Sequence, residues 1–257
     1  MELIRKIIRN LQNAYIRIIT FIFLTLFLLI GNITAPFFKN EKRLYVWRRL
    51  AKICIAIIFI FSFIRIKTYN IKDIPKTPCV IAMNHRSVVD TLSLMVMLNN
   101  DFFVLTEPFD AMPHKLFQQW SFVLGYIPII RDEHDKKNFK IGMDKKYVVK
   151  ECVYRVRKEE TLVIYPEAHH ERHRGLLKFK TGAVRVALEA AIPLIPGAFT
   201  GTAKVMSPER NKLHPGKIHL RFGEPMDIEK YYQKQKNRKL VRRLTKELKH
   251  KIKELIP

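Results

Sequence analysis

The hydrophobic pattern divides the chain in two. Near the amino terminus lie two apolar runs, Ile18 to Ile30, preceded by Arg17, and Ile53 to Ile64, followed by Arg65 and Lys67. From about Thr68 onward, short β-rich runs alternate with longer stretches of helical period, the pattern of an α/β domain. It predicts strands at Cys79 to Met83, Phe102 to Leu105, Leu162 to Tyr165, Leu194 to Phe199 and Ile218 to Phe222. It predicts helices at Val88 to Leu98, His114 to Leu124, Asn138 to Lys158 and Gly182 to Ala191. A last helix, Arg238 to Leu255, places Leu240, Leu244, Leu248, Ile252 and Leu255 on one face and lysines and arginines around the rest. That stripe reads first as a face docked onto the domain. The expected architecture is a central mostly parallel or mixed sheet flanked by helices over residues 68–257, preceded by a membrane-inserted two-helix hairpin over residues 1–67.

The two apolar runs are short for crossing a bilayer. Thirteen helical residues reach about 20 Å, against a hydrocarbon core of roughly 30 Å. A longer stretch, Ala14 to Ala35, spans only if Arg17 snorkels. Basic residues both precede the first run (Arg5, Lys6, Arg9) and separate the two (Lys39, Lys42, Arg43, Arg48, Arg49, Lys52). A spanning hairpin would put one basic cluster outside, against the positive-inside rule. The favoured reading is therefore a monotopic arrangement on the cytoplasmic face, with both helices sunk into one leaflet and their cations held by anionic headgroups. A spanning hairpin and a single span are the alternatives. Asn32 and Pro36 follow the first run where a cleavable leader would show small residues, so no leader is expected to be removed.

Charge changes the picture of partners. Lys and Arg number 47 against 23 for Asp and Glu, a formal net charge of +24, so the partners should be acidic: anionic lipid, acidic protein or nucleic acid. With 48% hydrophobic residues, disorder is excluded as the main state. Cys54, Cys79 and Cys152 lie far apart in apolar stretches and read as buried, reduced thiols.

Four groups of residues carry candidate chemistry. Asn84-His85-Arg86-Ser87-Val88-Val89-Asp90 follows a predicted strand and opens a predicted helix, where active-site residues of α/β folds gather. Histidine titrates near neutrality and can take a proton from an alcohol, and a nearby carboxylate fixes its tautomer. Four intervening residues let a turn bring Asp90 back towards His85. Equally, Ser87 through Asp90 is a helix start, with Ser87 as N-cap and an acid in the first turn. Ser87 as nucleophile is disfavoured, since no GxSxG elbow surrounds it.

The second group, Gly125 to Arg131, is an apolar run ending in an arginine that either grips a phosphate or is a solvated strand end. The third, Tyr165-Pro166-Glu167-Ala168-His169-His170-Glu171-Arg172-His173-Arg174, again follows a strand, with Lys178 and Lys180 behind. So many cations beside a carboxylate suit an anionic headgroup. Its histidines miss HExxH by one residue, so no metal is expected. The fourth group, Ile192 to Gly197, has paired prolines that shape a strand entry.

In order and spacing these groups resemble the glycerolipid acyltransferase family, typified by 1-acyl-sn-glycerol-3-phosphate acyltransferases, over about Ile71 to Pro225. Asn84-His85 through Asp90 looks like the family's NHxxxxD block. Tyr165-Pro166-Glu167 matches the opening of F-P-E-G-T-R, and Phe179-Lys180-Thr181-Gly182-Ala183 the segment after it. Pro193 and Pro196 match the fourth block, and Phe222-Gly223-Glu224-Pro225 the sequence after the last strand. The resemblance implies a glycerol-3-phosphate acyltransferase-like fold, His85 and Asp90 as catalytic pair, and Arg131, Glu167, His170, Arg172 and Arg174 as substrate-binding residues. It implies a lysophospholipid acceptor, an acyl-CoA or acyl carrier protein thioester as donor, membrane phospholipid as surroundings and no further cofactor. Where G-T-R is expected, however, the chain has Ala168-His169-His170. The family's phosphate-binding arginine is absent there; His170 is a weaker, pH-dependent substitute, and Arg172 or Arg174 are the cations placed to cover for it. The competing class is a membrane-tethered basic binding protein without catalysis. No nucleic-acid-binding signature accompanies the charge, so no nucleic acid partner is expected. A lipid hydrolase sharing the histidine and aspartate is a further alternative.

Overall fold

A computed structural model of the chain describes residues 2–34, 37, 40–99, 101–112, 115–168, 175–206, 213–232 and 237–257. It forms two compact units: Met1–Thr68, Arg86–Leu98 and Thr200–His219 make one, and Tyr69–His85, Asn99–Phe199 and Leu220–Pro257 the other.

The first unit opens with helices α1 (Glu2–Thr34) and α2 (Asn40–Phe61). The helix runs well beyond the thirteen apolar residues counted from the sequence, because the flanking polar residues are good helix formers and continue it. Its Asn10–Ile33 stretch is long and apolar enough to cross a membrane by length and composition, and most of it is exposed. Among the described residues α1 is the one helix meeting that condition; α2 does not. Its first thirteen residues carry Lys42, Arg43, Arg48, Arg49 and Lys52, so one apolar helix stands where the sequence predicts a membrane-inserted pair.

The two helices do pack on one another. Trp47 meets Phe27 edge-on at 5.0 Å, and the Cys54 thiol donates to the Phe23 carbonyl at 3.2 Å. Gly31 makes room for the indole: a Cβ there would lie 1.9 Å from Trp47. The apolar run from Ile53 does not stay helical to Ile64. Phe63 turns with φ 55°, and strand β1 (Ile64–Tyr69) begins, an element not predicted.

The unit also holds α3 (Val89–Met97) and the short α8 (Thr202–Val205). Lys52 donates to the Leu98 carbonyl at 2.8 Å, capping the end of α3. Gly201 sits at φ 90°, where a Cβ would meet the Lys217 carbonyl oxygen at 2.1 Å, so only glycine fits.

The second unit is built on parallel strands. β2 (Val80–Met83) is buried along its whole length and pairs in parallel with β6 (Thr161–Ile164) and β7 (Leu194–Thr200). β3 (Phe102–Thr106) pairs in parallel with β6 and with β4 (Ile127–Ile130), and β4 with the two-residue β5 (Met143–Asp144). β8 (Gly216–Phe222) starts in the first unit and ends in the second. Beyond it, the Gly223 and Met226 amides donate to the Pro196 and Leu194 carbonyls, so the chain returns antiparallel to β7. Hydrogen-bonded neighbours run β1-β8-β7-β2-β6-β3-β4-β5. The sheet is thus mixed with a parallel body, as the alternating pattern predicts.

Helices α4 (Lys115–Val123), α6 (Lys145–Val156), α7 (Gly182–Ala190) and α9 (Arg238–Glu254) belong to this unit. The expected helix from Asn138 to Lys158 is broken. A one-and-a-half-turn α5 (Glu133–Asn138) ends there, and Gly142 then passes so close to β4 that a Cβ would lie 2.8 Å from the Ile130 side chain. Asp144 caps α6 by accepting from the Lys146 amide at 2.9 Å. The missed boundary therefore had a local signal in the Gly142-Met143-Asp144 sequence. Leu244, Leu248 and Ile252 of α9 are buried in the core with Val80, Leu162 and Leu188, so the amphipathic stripe docks onto the domain as expected. Cys79 and Cys152 are free and buried, and burial pushes both thiols up to about 12.

Candidate active site

Strands β2, β6, β3 and β4 run in one direction, so their carboxyl ends share an edge of the second unit. Ligand sites of parallel sheets form at that edge. Asn84 follows β2, nearly fully buried, and clamps onto β7: its amide donates to the Phe199 carbonyl at 3.1 Å and its carbonyl oxygen accepts the Phe199 N–H at 2.7 Å.

His85 comes next and is half-buried. Its backbone N–H donates to Glu167 Oε1 at 3.0 Å, and its ring lies flat on that of Tyr165, with centroids 3.9 Å apart and planes at 8°. Glu167, only 2% exposed, receives the Leu177 N–H on its other oxygen at 2.8 Å. Both carboxylate oxygens are therefore engaged by backbone amides.

Asp90 belongs to the first unit, where its Oδ2 accepts the N–H groups of Arg86 at 2.6 Å and Ser87 at 2.9 Å. The turn folds the aspartate onto the backbone amides of Arg86 and Ser87 at the start of α3. These contacts are those of a helix start. Ser87 is buried and its hydroxyl donates to the Met206 carbonyl at 2.6 Å while accepting weakly from Val89 at 3.3 Å. Its hydroxyl is thus taken up by backbone partners.

Arg131 stands at the end of β4. Its Nε pairs with Asp135 at 2.9 Å, and its own amide donates to the same carboxylate oxygen at 3.0 Å. The pairing through one edge orients the guanidinium. On the sheet, β6 and β3 lie between β2 and β4, so His85 and Arg131 are about 14 Å apart at the backbone by three inter-strand steps. Glu107 follows β3; burial raises its carboxyl above the usual range, Arg131 opposes the rise and Asp135 adds to it. Neither Asp135 nor Glu107 was picked out from the sequence, although Asp135 lies four residues beyond Arg131.

The candidate residues His170, Arg172 and Arg174 lie outside the described residues. Ala168 is described, and it takes φ 64°, with its amide bonded to the Tyr165 carbonyl. That is the left-handed region which favours glycine, the residue expected at this position of the third block. Among the described residues the grouping that offers metal-ligating atoms is Asp132, His134 and Asp135. There Asp135 is paired with Arg131 and Asp132 caps α5, so both acids already have structural work.

Comparison with known proteins places this arrangement. A family model described as Acyltransferase matches residues 65–200, more than half of the chain, and the chain belongs to that family. A chloroplastic 1-acyl-sn-glycerol-3-phosphate acyltransferase from Brassica napus is 26% identical over 157 residues, 59% of this chain and 42% of the relative. A chloroplastic one from Arabidopsis thaliana is 24% identical over 211 residues, 79% of this chain and 55% of the relative. The Escherichia coli enzyme of the same name is 37% identical over 68 residues, 26% of this chain and 27% of the relative. The chain thus spans about half, or less, of the length of these relatives. The crystal structure of the 1-acyl-sn-glycerophosphate acyltransferase PlsC from Thermotoga maritima has the same fold, with a TM-score of 0.74, 17% identity, and coverage of 98% of this chain and 97% of that one.

Two outcomes test the local chemistry. Ala168→Gly should raise stability by up to about 1 kcal/mol in denaturant melts, since relief of the left-handed strain outweighs the added freedom of the unfolded chain. Arg131 holds the Asp135 carboxyl below its ordinary range, so the folded form binds its proton less tightly than the unfolded form. The resulting stabilisation is complete above the ordinary aspartate value and disappears as pH falls through the lower folded value. Asp135→Asn should therefore cost about 1–2 kcal/mol at neutral pH, and the gap to wild type should close in melts taken below about pH 4.

Proposed function

We propose that this protein acylates a lysophospholipid, moving a fatty acyl group from acyl-CoA or acyl carrier protein to the sn-2 hydroxyl of 1-acyl-glycerol-3-phosphate to give phosphatidate. The observation that carries this is His85 itself: the histidine of an NHxxxxD block, at the carboxyl end of a buried parallel strand in an Acyltransferase-family chain. The names of the relatives supply the acceptor.

His85 takes the proton of the acceptor hydroxyl as that oxygen adds to the thioester carbonyl carbon. The tetrahedral adduct collapses, the carbon–sulfur bond breaks, and the imidazolium returns its proton to the leaving thiolate. No acyl-enzyme forms. Asp90 serves as the carboxylate partner that fixes the imidazole tautomer. Arg131 engages the acceptor phosphate, and holding the glycerol unit this way lowers the entropic barrier to attack. The expected contributions of His170, Arg172 and Arg174 to the headgroup belong to the same proposal. In this reading α1 holds the protein in the membrane, on its cytoplasmic face, and basic residues meet anionic headgroups.

The replacement of G-T-R by Ala168-His169-His170 favours one second reading, a different lysophospholipid or glycerol acceptor. Purified protein in anionic vesicles, given a panel of lysophospholipids with either thioester donor, separates the two by thiol release. Turnover highest with lysophosphatidate supports the first reading, and a preference for another headgroup the second.

In that assay His85→Ala should lower turnover by about three orders of magnitude or more with vesicle binding intact. A variant retaining over about a tenth of wild-type turnover removes His85 from the mechanism. Arg131→Ala should raise the acceptor KM at least about tenfold with a smaller change in kcat, and a change confined to the donor KM would reassign it.

A further inference from the structure

We propose that the Tyr165-Pro166-Glu167 turn is a positioning bracket for His85, with Glu167 holding its main chain and Tyr165 holding its ring, and that neither side chain contacts the acyl acceptor. This rests on His85 being the base of the proposed reaction.

Three observations converge on the bracket. Glu167 is nearly inaccessible and both its oxygens accept backbone N–H groups, one from His85 and one from Leu177. A carboxylate held in this way ties the end of β2 to the segment after Gly175. It would also repel a phosphate brought alongside it. The residue before His85 is fixed too, since Asn84 is clamped at two points to Phe199. With the main chain held on both counts, the remaining freedom of His85 lies in its side-chain torsions. The Tyr165 face, 3.9 Å away and nearly parallel, restricts the ring torsion.

The aromatic face has a second use. When the imidazole accepts a proton it becomes a cation lying on a π-surface, an arrangement that ring electrons favour. The phenol ring is itself buried at the end of β6, so its position is set by the sheet and not by the ligand. Misplacing a reacting group by about 1 Å costs on the order of a hundredfold in rate, so the loss of either support should appear in the chemical step.

The experiment is a kinetic comparison of full-length variants in the vesicle assay, with histidine-labelled NMR in detergent micelles. Glu167→Gln keeps the shape but turns an amide group towards one of the two N–H donors; kcat should fall about 10–100-fold with acceptor and donor KM within about twofold of wild type. Tyr165→Leu should lower kcat about tenfold, and Tyr165→Phe, which restores the ring face, should recover most of that loss. The His85 ring signals, identified by their absence in His85→Ala, should move downfield in Tyr165→Leu as the ring current is lost and stay in place in Tyr165→Phe.

The proposal is overturned if Glu167→Gln raises the acceptor KM at unchanged kcat, which would make Glu167 a substrate ligand. It is also overturned if Tyr165→Leu turns over like wild type or leaves the His85 signals unmoved. Should Glu167→Gln fail to fold, the Tyr165 pair decides alone. An active His85→Ala would instead defeat the parent reading, whatever the bracket variants do.

Discussion

The structure depends on the register of one buried strand. Val80 lies opposite Leu162 on one side and Leu194 on the other, so β2 is tied to both neighbours by parallel hydrogen bonds while its four side chains are removed from water. A one-residue slip would exchange the two faces of the strand and displace the Asn84 clamp. Because the clamp and the Glu167 bond come directly after β2, the place of His85 is an outcome of strand pairing. The catalytic proposal inherits its geometry from the hydrophobic core.

Much of that core was legible because it repeats. The apolar runs at Val80, Phe102, Leu162 and Leu194 are β-rich and short, and the helices between them carry a clear period, so the α/β class followed from local pattern alone. What escaped was set by contacts distant in sequence. β1 grows out of an apolar stretch that reads as continuing helix, and its strand character comes from a place in the sheet. The extent of α1 escaped for the opposite reason: counting only apolar residues ignores the polar helix formers on either side.

At the site, the types of residue were readable and their tasks were less so. His85 and Arg131 stand at strand ends, as their positions after apolar runs imply. Glu167 is expected from the resemblance among the substrate-binding residues, and the structure shows it engaged with two amides, one of them 82 residues away in the chain. Tyr165 looked like the last residue of a strand and is also the surface on which the imidazole rests. No spacing rule reports either contact, since each joins elements paired only through the sheet. Ala168 was visible as a departure from family pattern, and its backbone angle shows what that departure costs locally.

Helix α9 supplies Leu244, Leu248 and Ile252 to the same core as β2. During synthesis, that core has no complete set of walls until α9 clears the ribosome. The apolar α1, by contrast, precedes every strand of the sheet in the chain. Helix α1 therefore leaves the ribosome long before the sheet is sealed, and a premature stop ahead of α9 would yield a polypeptide with an open interior.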